Sequence, residues 1–240
     1  MPLVRAGRVI RDLAAWMSSG SKPPEHAAAQ PATASLPAQL IQRYRRLFAF
    51  YDRDGDGRHT LGGDFEPVAA RLAARWQGRP TPFPDLLRLL LDTYRHENER
   101  RDGNHDGQVD REEFVASHGR VFASFIADPE AARGFIARSA GGFFTVLDLD
   151  GDGVLGLDDL AAFAAAYGHP SDGIAANLNA MLSGLGLPPD RLPLAAFLTL
   201  VEQYWFDPSP DAPGRHLFDG LALVETGQPQ HQLSNLGYAL

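Results

Sequence analysis

Three short stretches of this chain repeat one design. Asp52-Arg-Asp-Gly-Asp-Gly57, Asp102-Gly-Asn-His-Asp-Gly107 and Asp148-Leu-Asp-Gly-Asp-Gly153 each set oxygen-bearing side chains two residues apart and end on glycine. Carboxylates so crowded cannot enter an apolar core, and the glycines allow tight turns. Apolar residues recur at helical spacing on both sides of the stretches. The chain therefore reads as acidic loops slung between amphipathic helices, an all-α architecture. The loops start 50 and 46 residues apart, and a much altered fourth unit starts 37 residues later at Leu185. Such uneven intervals describe a diverged array rather than a solenoid of fixed period.

Charge sharpens the pattern. Residues 52–64, 102–113 and 148–159 hold fourteen of the 30 carboxylates against only Arg53, Arg58 and Arg111, a balance of −11, while the rest of the chain balances at +3 within a total of −8. That distribution gives no basic stripe for nucleic acid. The 240 residues, 44% hydrophobic, suffice for a buried core and exclude a wholly disordered chain. With no cysteine, disulfides and thiolate metal sites are excluded. No apolar run reaches the ~20 residues of a membrane helix.

A hard divalent cation wants six to eight oxygens at roughly 2.3–2.6 Å. The loops resemble the EF-hand calcium loop, in which positions 1, 3 and 5 give side-chain oxygens, position 6 turns sharply, position 7 lends a carbonyl and position 12 closes the cage. On that pattern the second loop offers Asp102, Asn104, Asp106, the Gln108 carbonyl and Glu113, with Gly107 at the turn. The third offers Asp148, Asp150, Asp152, the Val154 carbonyl and Asp159, with Gly153 at the turn. Position 8 is apolar, Val109 or Leu155, as suits a short β-bridge between loops. The third loop is flanked by Ala140, Phe143, Phe144 and Leu147 before it and by Leu160, Phe163, Ala164 and Tyr167 after it, all at helical spacing. The second exits through Phe114 and Val121, but its entrance carries Glu97, Asn98 and Arg101, which predicts an exposed or irregular entering turn.

The first loop begins with Asp52, Asp54, Asp56 and the Arg58 carbonyl, yet its twelfth residue is Gly63. Its entering helix shows Tyr44, Leu47, Phe48 and Tyr51. The exit face aligns only with one residue inserted after Gly57. Phe65, Val68, Ala69 and Leu72 then fall on one side, and Asp64 closes a 13-residue loop. The fourth unit, Leu185 to Ala196, keeps Leu192 at position 8 and Phe197, Leu200, Val201 and Tyr204 on its exit, but no oxygen side chain at positions 1, 3, 5 or 12. It is expected to fold without metal. Aspartate at the closing position is shorter than glutamate, so Mg²⁺ is a second candidate ion beside Ca²⁺ at the first and third loops.

Four units with the last degenerate, and the segment Tyr204-Trp-Phe206 … Asp211-Ala-Pro-Gly214 … Leu217-Phe-Asp-Gly220 behind them, make residues 36–221 resemble the sarcoplasmic calcium-binding protein and calexcitin group, with the calerythrin-like bacterial proteins. The resemblance implies one globule in which hands 1 and 2 pair, hands 3 and 4 pair, and the halves pack face to face. The boundaries that follow are an extension and flexible linker over 1–37, a first pair over 38–125, a second over 126–206 and a closing segment over 207–240. Within the extension, Met1 to Met17 form a basic amphipathic stretch. The tail residues Leu217, Phe218, Leu221, Leu223 and Val224 are expected to pack back on the body.

The chain is expected to be a cytoplasmic, monomeric, non-enzymatic protein that binds two or three calcium ions, buffer-like. A calcium sensor with a protein target is the first alternative. A calcium-linked carrier of a lipophile in the apolar core, as in luciferin-binding proteins and photoproteins, is the second. Histidines 59, 96, 105 and 118 show no zinc spacing and are expected to be scattered on the surface. The aromatics, Trp76, Trp205, Phe206 and Tyr238 among them, are expected to be core.

Overall fold

A computed structural model describes residues 36–218. The basic stretch, most of the linker and the tail beyond Phe218, Tyr238 included, lie outside the described residues. The helices follow the apolar spacing. Helix α1 (Ala38–Tyr51) buries Leu40, Tyr44, Leu47 and Phe48, the i, i+4, i+7, i+8 face, to zero exposure. It ends where the Asp52 N–H bonds back to the Phe48 carbonyl at 2.9 Å. Helices α3 (Leu86–Arg101) and α5 (Pro129–Leu147) end the same way, at Asp102 and Asp148, each bonded to the carbonyl four residues back at 2.9 Å. The first residue of each acidic stretch is thus also the terminus of a helix.

The exits differ. Helix α4 (Arg111–Ala127) starts with a capping box in which the Glu113 N–H donates to Asp110 Oδ1 at 2.8 Å and the Asp110 N–H to Glu113 Oε2 at 3.1 Å. Helix α6 (Leu157–Tyr167) starts after the strand β1 (Val154–Leu155). After the first loop, a single π-helical turn, Leu61–Phe65, precedes helix α2 (Glu66–Ala74). The extra residue is absorbed in that turn, and Phe65, Val68, Ala69 and Leu72 come to lie at 0–1% exposure. Pro67 sits in the first turn of α2, where no helical N–H is needed.

Helix α7 (Ile174–Gly184) leads to strand β2 (Leu192–Pro193) and helix α8 (Leu194–Phe206). The loops meet in pairs. His59 and Val109 form an antiparallel bridge with N–H···O distances of 2.9 and 3.0 Å. Leu155 opposes Leu192 in the β1–β2 pair. All four residues are fully buried.

One apolar core joins the two pairs. The Phe50 ring lies against Phe163, Tyr167, His169 and Phe218. Phe125 stacks on Phe206 with centroids 4.0 Å apart, and the Tyr94 and Tyr167 hydroxyls are 2.9 Å apart. A 3-10 turn, Pro213–His216, closes onto α8. A Cβ on Gly214 would stand 2.4 Å from the Leu200 carbonyl, so only glycine allows this approach. Arg43, buried on α1, donates to the carbonyls of Gln203 near the end of α8 and of Asp207 and Ser209 just after it.

Two expectations are corrected. The entrance to the second loop is neither exposed nor irregular. Helix α3 is regular to Arg101, with Asn98 and Arg101 buried. The charge is tolerated because Arg101 pairs with Glu97 at 3.1 Å and its guanidinium lies 5.0 Å from the centre of the Phe114 ring. Nor are the histidines all on the surface: His59, His118 and His169 are buried. Each gives one ring N–H to a carbonyl, of Phe48, Phe114 and Phe50 respectively, and buries the other nitrogen without a partner.

Candidate metal centres

The first loop brings Asp52, Asp54 and Asp64 together, with one oxygen of each within 4.8 Å of the others. Gly55 and Gly57 take positive φ of 74° and 83° and fold the chain back over Asp52, which accepts from the Gly57 N–H at 3.0 Å. Asp64 is fully buried and accepts from the Arg53 N–H at 2.8 Å and the Thr60 N–H at 2.7 Å. Gly63 makes room: a Cβ there would meet Asp54 Oδ2 at 2.5 Å. Burial first, then the charges of Asp54 and Asp52, push the Asp64 carboxyl up to about 6 against its two N–H donors. Burial also raises Asp52. Asp56 stays outside the cluster and accepts from the Arg58 N–H at 2.8 Å. Asp52 Oδ1 is buried with no hydrogen-bond partner. A negative oxygen left bare beside two more carboxylates fits a cation with a shell of oxygens.

In the second loop the Asp102 Oδ2 accepts from the Gly107 N–H at 2.9 Å, and Asn104 Oδ1 from the Asp106 N–H at 2.8 Å. The Gln108 N–H donates to Asp106 at 2.9 Å. Glu113 reaches back, its Oε1 accepting from the Gly103 and Asn104 N–H groups at 3.1 Å each. Its oxygens stand over the loop without joining a tight carboxylate cluster. His105 occupies the position that Gly55 and Gly151 hold in the other loops and shares their left-handed backbone, φ 62°.

In the third loop Asp148, Asp150 and Asp152 converge within 4.8 Å. Asp148 accepts from the Gly151 and Gly153 N–H groups at 2.9 and 3.0 Å, and Asp152 from the Val154 N–H at 2.9 Å. Burial raises the Asp148 carboxyl. Asp159 does not join them. Its Oδ2 accepts from the Gly156 N–H at 3.1 Å, and its Oδ1 lies 3.3 Å from Arg75 on the far side of the molecule's sequence. Arg191, from the fourth unit, pairs with Asp152 at 2.9 Å. That fourth unit brings no carboxylate cluster of its own among the described residues.

The EF-hand family model matches residues 102–116. Over 117 residues the chain is 32% identical to the sarcoplasmic calcium-binding protein beta chain of Penaeus sp., an overlap of 45% of this chain and 57% of that relative's length. The chain thus carries an EF-hand match at its second loop and is similar, over little more than half of that relative's length, to a sarcoplasmic calcium-binding protein. In fold, the chain is similar to the amphioxus sarcoplasmic calcium-binding protein, with a TM-score of 0.53 at 22% identity, covering 76% of this chain and 98% of that one. It is also similar to the calcium-loaded apo form of the coelenterazine-binding protein from Renilla muelleri, with a TM-score of 0.52 at 16% identity, covering 75% and 95%.

Three residues at the loops were not singled out by the loop pattern. His59 stands at the apolar eighth position of loop 1, a signal that was there to read. Arg75 and Arg191 touch Asp159 and Asp152 of loop 3 from 84 and 39 residues away, and no local spacing marks them.

Proposed function

We propose that the protein binds two or three calcium ions through its first three loops and acts, without enzymatic activity, as a cytoplasmic calcium buffer. The ligands are Asp52, Asp54, Asp64 and the Arg58 carbonyl, with Asp56 at the rim; Asp102, Asn104, Asp106, Glu113 and the Gln108 carbonyl; and Asp148, Asp150, Asp152, Asp159 and the Val154 carbonyl. The observation that carries the reading is the bare, buried Asp52 oxygen facing two more carboxylates, in one of three loops of the same construction. Bound calcium would supply positive charge where loops of net −11 now repel themselves.

Buffering is favoured over sensing by the methionines. The sequence has three, and Met181, the one among the described residues, is 3% exposed in the core. Sensor grooves are typically rich in exposed methionine. Among the described residues the large exposed apolar ones, Leu87, Ile126, Leu157 and Leu194, are few. No helix among the described residues is long and apolar enough to cross a membrane.

Calcium titration by calorimetry, with and without magnesium, tests the reading. Two or three sites are expected, and one or none overturns it. Hydrophobic-dye fluorescence that stays flat or falls with calcium supports the buffer, whereas a sharp rise supports a sensor. A lipophile found by native mass spectrometry would move the assignment to a carrier.

A further inference from the structure

Helix α2 leaves the first hand and holds both helices of the third. Its Arg71 donates to the Ala166 carbonyl near the end of α6 at 2.9 Å. Trp76, just beyond α2, gives its indole N–H to the Val146 carbonyl near the end of α5 at 3.1 Å. Between them Arg75 contacts the Leu147 carbonyl at 3.4 Å and the Asp159 carboxylate at 3.3 Å, with both side chains only 16% exposed. Asp159 is the carboxylate expected to close loop 3, and it is the one that stands apart from Asp148, Asp150 and Asp152. In loop 1 the corresponding Asp64 instead accepts from the backbone N–H groups of Arg53 and Thr60 and lies with Asp52 and Asp54.

We propose that Arg75 is a tethered counter-cation that lowers the calcium affinity of loop 3 from across the molecule. The guanidinium neutralises the closing carboxylate and holds one of its oxygens away from the other ligands. A divalent ion at loop 3 must compete with a charge fixed on the exit helix of hand 1. The half-buried setting screens that charge less than water would. Arg191 acts on Asp152 in the same sense but more weakly, because its side chain is 65% exposed. This role presupposes calcium at loop 3, as proposed above.

The test uses the full chain with loops 1 and 2 silenced by Asp54→Ala and Asp106→Ala, titrated with calcium by calorimetry. Arg75→Gln is expected to tighten loop 3 roughly three- to tenfold, as removal of one poorly screened positive charge predicts. Arg75→Met, which keeps the apolar stem and the packing of α2, should do the same if Arg75→Gln unfolds. Arg75→Lys retains the charge and should stay within about twofold of the parent. With Asp159→Asn added, the gain from Arg75→Gln should vanish. Unchanged or weaker binding in both neutral variants, or an equal gain without the Asp159 charge, overturns the role. A wild-type chain that binds no calcium at all overturns instead the calcium reading on which the role depends, so the two failures are distinct.

Discussion

Asp64 carries its negative charge at a cost. In the metal-free fold its carboxyl is pushed up to about 6, mainly by burial and then by Asp54 and Asp52. An unfolded aspartate titrates near 3.9. The raised group therefore adds stability below about pH 4 and loses it as pH rises through about 6. A calcium ion taking Asp64 near pH 5 must first expel a proton. Calorimetry should find loop 1 binding roughly tenfold weaker at pH 5 than at pH 7, from the fraction of ionised carboxyl alone. In a chain whose loop 1 is silenced by Asp54→Ala, that component should disappear. His105 stores a different cost. It holds φ 62° where the two sister loops use glycine, and its side chain is exposed. His105→Gly is expected to stabilise the metal-free protein by about 0.5–1 kcal/mol, since relief of left-handed strain exceeds the entropy glycine gains on unfolding. Urea unfolding in chelator measures it, and a loss of stability would show the histidine backbone to be unstrained.

At the scale of elements, the π turn Leu61–Phe65 is the first loop's peculiarity. The 13-residue length was legible because only one inserted residue lines up Phe65, Val68, Ala69 and Leu72. Where the residue goes was not legible. The bridge of His59 to Val109 keeps the eighth positions opposite each other, so the excess lies after position 8, beyond Thr60. Thr60 Oγ1 accepts from the Gly63 N–H at 3.0 Å and stands as the N-cap of that turn. Gly62 is exposed, with nothing near its Cβ position. Deleting Gly62 should convert the π turn to an α turn, keep α2 on its face, and change stability by less than about 1 kcal/mol, because no packed side chain is lost. Circular dichroism and calcium titration would check it, and loss of the fold would mean the turn is required. The entering helix of loop 2 shows the other limit of local pattern. Glu97, Asn98 and Arg101 read as solvent-facing, but Arg101 is buried through a partner one turn away and a ring, Phe114, on the next helix. Spacing rules see the first kind of neighbour poorly and the second not at all. Arg75, 84 residues from Asp159, lies wholly beyond them.

For the molecule as a whole, acidity is the sensitive axis. Burial lowers the His59 ring to about 3 and moves His118 and His169 down as well, with Arg101 adding to the first two. Unfolded histidine titrates near 6.5. A depressed group gives stability above its unfolded value and loses it as pH falls, here from about 6.5 toward about 3. Glu97, held down to about 2 by Arg101 and Arg100 against the effect of burial, loses its share only below about 4.3. Asp64 runs the opposite way from about 6 downward, and Asp52 and Asp148 are raised as well, so it is the onset at about 6.5 that the three rings set. The metal-free protein should begin to lose stability below pH about 6.5, and equal melting temperatures at pH 7 and pH 4.5 would contradict this. At neutral pH, calcium at 100 times a site's dissociation constant should add about 2.7 kcal/mol for each filled loop.

The arginine that binds α1 to the end of α8 and the residues just after it also constrains how the protein is made. Arg43 finds its acceptors 160 to 166 residues later. A ribosome delivers the first helix long before those carbonyls exist. These long-range bonds, and the seating of α1 that they secure, cannot form until α8 and the segment after it have left the exit tunnel. Nascent chains stalled before residue 207 should therefore be cut by protease within α1, while chains released at full length resist.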